Sequence, residues 1–122
     1  MTQEEIIQEL KALSLFDKEE TDKEFNVGDK VKLSPYAIMC FMTAQIEERD
    51  PRYHTGEYFD DPFIIFKAEE KDIKLGKRLN NIHGVIRKIT SSEKFDVEWE
   101  NDDIGIGRGF WGQRDLNKIH HN

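Results

Sequence analysis

FDVEWEN, residues 95–101, alternates apolar and acidic side chains without interruption. Phe95, Val97 and Trp99 fall on one face; Asp96, Glu98 and Glu100 fall on the other. A two-residue period of this kind predicts a half-buried antiparallel strand, with Trp99 in the core. Upstream, HGVIRKI (83–89) reads as its hairpin partner, with Val85 and Ile89 on one face and Gly84 as a bulge or bend. TSSEK (90–94) joins the two. Downstream, NDDIGIG (101–107) is a turn-rich loop, RGFWG (108–112) a short strand, and RDLNKI (114–119) a single turn followed by a last strand. Nearer the start, FNVGDKVKL (25–33) places Phe25, Val27, Val31 and Leu33 on one side. Its Gly28-Asp29 is a turn signal before a short strand at 30–34.

Taken together, F-x-V-G-D-x-V-x-L at 25–33, H-G-V-I-x-x-I at 83–89, F-x-V-E-W-E-N at 95–101 and W-x-x-x-D-L-x-x-I at 111–119 resemble a Src-homology-3-type small β-barrel. The pattern is similar to KOW and Tudor modules, to the mind-bomb-type barrel and to the barrel domain of nitrile hydratase β subunits. The resemblance covers about 50 residues. It implies a β-meander closed by an aspartate-leucine turn, and it is nearly silent on function, because one such barrel hosts many roles. Its departure is an insertion at 34–82, where such barrels often have a short loop.

The rest of the chain surrounds that frame. TQEEIIQELKALSLF (2–16) predicts an amphipathic helix: Thr2 and Glu5 form a capping box, and Ile6, Leu10, Leu13 and Phe16 make one stripe. A helix this short must bury its stripe, against its own domain, a partner or a second copy of the chain. The charged run 17–24 reads as a linker. The expected organisation is therefore a helix and acidic linker at 1–24 and a barrel domain at 25–122. In the insertion, Ser34-Pro35 caps a helix within 35–48, although Ile38, Cys40 and Met42 also alternate as in a strand. RDPRYHTGEYFDDP (49–62) and KLGKRLNN (74–81) read as loops, and PFIIF (62–66) as a short strand. The fold class expected is mainly β with added helices.

Composition narrows the function classes. The 122 residues carry a formal net charge of −7, against a general nucleic-acid binder. One cysteine, Cys40, forms no internal disulfide, and no run approaches a membrane span, so a cytoplasmic protein without membrane contact is expected. Residues 67–94 are locally basic, with 8 cationic groups against 4 acidic ones. That segment is either a solvated, salt-bridged face or a contact patch for an anion, and Lys74, Lys77, Arg78, Arg87 and Lys88 would be its nucleic-acid-binding groups.

No nucleophile motif, phosphate loop or zinc spacing is present among His54, His83, His120, His121 and Cys40. The expectation is a non-enzymatic protein-interaction or regulatory module with no cofactor and no metal. Two alternatives stand beside it: a nucleic-acid-contacting barrel using 74–94, and a small enzyme with a site under the insertion. Phe110 and Trp111 are adjacent in a strand and point to opposite faces, so one of them lies exposed or beside the insertion. Trp111, Tyr36 and Tyr53, rimmed by Arg108 and Asp103, are the candidate binding residues at the barrel–insertion seam. Aromatic and arginine side chains supply most contact energy in interfaces. The competing possibility is that the insertion's aromatics simply pack the barrel shut.

Overall fold

The computed structural model describes residues 1–17, 23–50, 63–100, 105–107 and 109–119. Among these residues, five short strands form one antiparallel sheet. They are β1 (Lys30–Leu33), β2 (His83–Ile89), β3 (Phe95–Trp99), β4 (Phe110–Trp111) and β5 (Leu116–Lys118). The order is β4-β3-β2-β1-β5, and the sheet curls into a half-barrel. β1 is the pivot, with β2 on one edge and β5 on the other.

The alternation read in β3 is realised: Phe95 and Val97 are buried and Trp99 is half-buried, while Glu98 is exposed. β2 departs from expectation. Gly84 and Ile86 are its buried residues, and the register slips between Ile86 and Lys88, leaving Ile89 exposed. The bulge therefore lies at Arg87, and Gly84 pairs regularly with Trp99 on β3 and Val31 on β1. A Cβ on Gly84 would sit 2.7 Å from Val97 Cγ1, 2.8 Å from Trp99 Cε3 and 2.9 Å from the Glu98 carbonyl oxygen. Glycine is there because the Trp99 ring crosses over it. Phe25 and Val27 precede β1 rather than extend it. Phe25 meets Phe95 edge-on at 5.0 Å, and Val27 is exposed, beyond a turn in which Gly28 takes φ 93°.

Helices fill the rest. α1 spans Gln3–Ala12, with both bonds of the Thr2–Glu5 capping box present. It stops short of the expected end because Ser14 adopts a left-handed backbone, φ 62°. Ile6, Leu10 and Leu13 are buried within the chain, whereas Phe16 is exposed and stacks on Phe66. α2 spans Pro35–Arg49, capped by Ser34 Oγ, which accepts from the Ala37 N–H at 3.2 Å.

Two readings of the insertion need correction. Ile64–Lys67 is a 3-10 turn, not a strand, and Glu70–Asn80 is a helix, α3, not a loop. Glu69 and Asp72 cap α3, acidic residues open it and Lys77 and Arg78 close it, in keeping with the helix dipole. Gly76, within the stretch 74–81 read as a loop, marks close helix contact: a Cβ there would lie 2.7 Å from Met42 Sδ and 2.8 Å from Leu13 Cδ1. With 44% of the described residues helical and 22% in strands, the class is mixed rather than mainly β. Among the described residues no helix is long and apolar enough to cross a membrane.

The core has two lobes. A larger one joins α1, α2, α3 and Leu33; a smaller one holds Val31, Ile86, Phe95, Val97 and Leu116 under the sheet. Between α2 and α3 lies a charge with no exposure at all, Asp72. It accepts from Arg49 Nη1 at 2.8 Å and Nη2 at 2.5 Å, from Gln45 Nε2 at 2.7 Å and from the Glu69 N–H at 2.7 Å. Burial by itself would raise this carboxyl, but the bonds from Arg49, Glu69 and Gln45 prevail and hold it below its ordinary value.

Asp72→Ala strands the Arg49 guanidinium and costs about 3–5 kcal/mol in urea unfolding. Because the folded carboxyl is depressed, its stabilisation is complete above the unfolded value near pH 4 and is lost as pH falls through the folded one. Asp72→Asn should therefore flatten the acid limb of the stability curve relative to the parent. Gly84→Ala forces backbone and the Trp99 ring apart and costs about 1–3 kcal/mol; a neutral result would mean that β3 can retreat from β2.

Candidate functional site

A cavity of about 490 Å³ opens where four elements converge. The segment after α1 (Ser14, Leu15) forms one wall and the first turn of α2 (Ser34, Tyr36) another; β1 and β5 close it with Lys32 and Asn117. Arg114, from the 3-10 turn Gln113–Asp115, stands at the mouth with its guanidinium 3.8 Å over the Tyr36 ring. That separation is a cation–π contact. Ser34 ties the turn down by donating Oγ to the Arg114 carbonyl at 2.7 Å, and its N–H donates to the Asp115 carbonyl at 2.8 Å. The position of Arg114 is thus set by the residue that caps α2. A hydrogen bond with Cys40, one turn along, raises the Tyr36 phenol above its ordinary value, partly offset by the Arg114 charge.

The expected seam residues divide. Tyr36 lines the cavity. Trp111 meets Trp99 edge-on at 5.5 Å and Phe41 at 6.3 Å, and it bridges both core lobes while half-buried. Phe110 is the exposed member of the adjacent pair, at 63%. Tyr36 and Phe41 are five residues apart on α2, so the Tyr36–Arg114 and Phe41–Trp111 contacts lie about 7.5 Å apart along that helix. Tyr53, Asp103 and Arg108 lie outside the described residues, as do His54, Asp60, Asp61, Asp102, His120 and His121.

The basic segment is distributed over two elements and mostly paired. Lys74 meets Glu70 at 3.8 Å, Lys77 meets Glu9 at 2.8 Å and Arg87 meets Glu98 at 2.8 Å. Arg78 is engaged as well, and Lys88 is exposed. These pairs offset much of the charge counted along the sequence. No family model matches the chain, and no curated protein or solved structure matches it.

Sequence reasoning missed Lys32, Asn117 and Arg114. The first two become neighbours only through the pairing of β1 with β5, where Lys32 opposes Asn117, a register that no local pattern announces. Arg114 sits in a stretch read as a turn, and nothing nearby in sequence marks its ring partner.

The two aromatics of β4 should separate cleanly on substitution. Trp111→Ala opens space between the lobes and costs about 2–4 kcal/mol, somewhat below a fully buried aromatic. Phe110→Ala stays within about 0.5 kcal/mol, as surface substitutions do. Thermal unfolding of both variants, compared with the parent, checks the assignment.

Proposed function

We propose that this chain is a non-enzymatic protein-interaction module of the small-barrel type that holds a segment of another polypeptide at the seam between sheet and insertion. The observation that carries this reading is the Tyr36–Arg114 stack at the mouth of the cavity. An aromatic ring and a guanidinium, fixed against each other at the rim of a recess, are the side chains that anchor partners most strongly. The groups around them suit holding a ligand: cations, a hydroxyl, an amide and the apolar Leu15 and Met39.

The test is selection of peptides from a randomised display library on the folded protein. Tyr36→Ala and Arg114→Ala should each weaken retention by about tenfold or more, equivalent to 1.4 kcal/mol, with the melting temperature unchanged. Lys74, Lys77 and Arg78 changed together to Glu should leave retention intact. The reverse pattern, with steep loss of a labelled oligonucleotide as salt rises, would move the function to the basic segment.

A further inference from the structure

The cavity is electrically out of character with the chain. Among its described lining residues, Lys23, Lys32 and Arg114 stand with a single carboxylate, Asp17, in a protein of net charge −7. Lys32 is half-buried and makes no ion pair among the described residues, whereas all three lysines of α3 are paired. A half-buried ammonium without a counter-charge is an unfavourable arrangement that an incoming anion relieves. Directly across the strand pair, Asn117 has its Oδ1 buried with no hydrogen-bond partner among the described residues. A buried acceptor left without a hydrogen bond is costly, and a donor brought into the cavity would relieve that cost. The terminal amide torsion of asparagine is soft, so the group can turn to meet one. The first turn of α2 adds its partial positive charge. It adds few donors, since Pro35 has no N–H and Ser34 occupies that of Ala37.

One wall therefore presents a cation suited to an anion and, beside it, an acceptor suited to a donor. A peptide's C-terminus carries that pair: a carboxylate, and an amide N–H on the same residue. We infer that the cavity takes the free C-terminal carboxylate of the partner polypeptide, paired with Lys32 and Arg114, while the last amide N–H donates to Asn117 and the terminal side chain lies against Leu15 and Met39. This rests on the peptide-holding reading above and names what that site holds.

The experiment uses the full chain and an array of tripeptide ends, randomised in sequence, printed both as free acids and as C-terminal amides. The free acids should be retained at least about tenfold more strongly than the matching amides. Lys32→Gln should bring that ratio close to one, and Lys88→Gln, away from the cavity, should preserve it. Retention of acids and amides alike, still sensitive to Tyr36→Ala, would overturn the carboxylate assignment and leave the peptide-holding function standing. So would a ratio that survives Lys32→Gln. Retention of no peptide in either form would overturn both. Inorganic phosphate competing as well as a free-acid tripeptide would overturn the assignment in favour of a general anion site.

Discussion

The buried carboxylate of Asp72 organises this molecule. Ionised carboxylates leave water at great cost unless every lone pair is met, and here Arg49, Gln45 and the Glu69 N–H meet them. Two of those partners stand one turn apart near the end of α2, and Asp72 stands in the first turn of α3. The bonds therefore lock one helix against the other at a single rotation and height. A greasy interface alone would tolerate sliding; a bidentate guanidinium does not. The close approach at Gly76 depends on that lock, since Met42 and Leu13 have no slack there.

Fixing α2 fixes the site. Its first turn carries Ser34, which holds the Gln113–Asp115 turn by two hydrogen bonds, and so determines where Arg114 meets Tyr36. Its middle carries Phe41 against Trp111, at the junction of the two core lobes. The sheet supplies the other walls through Lys32 and Asn117. Helical insertion and curled sheet thus contribute opposite sides of one recess.

Much of the sheet was legible because FDVEWEN alternates strictly and one of its faces is buried. The cap at Ser34-Pro35 likewise marked the start of α2. Three features hid from the same reasoning. The stretch 74–81 read as a loop, although Glu69 and Asp72 already stood at capping distance and Ile73, Gly76 and Leu79 share a face. Gly84 suggested a bulge, because the ring that replaces its missing side chain comes from a strand fifteen residues away. The cavity had no sequence signature at all: Lys32 reads as an ordinary outward residue of a strand, and its meeting with Asn117 exists only in the paired sheet.

The placement of β1 bears on how the chain reaches this state. The strand that joins the sheet together has both its neighbours far along the sequence, β2 beyond a 49-residue insertion and β5 at the end of the described chain. Closing a flexible loop of that size costs about 3 kcal/mol in chain entropy, beyond a fixed term, before a single ladder bond repays it. Contacts so remote in sequence are the kind that slow folding. The β2–β3 hairpin and the α2–α3 pair are nearer-range units, and the latter draws the ends of the long loop together. Completion of the sheet thus depends on the helices laid over it, whose mutual packing the Asp72 clamp fixes.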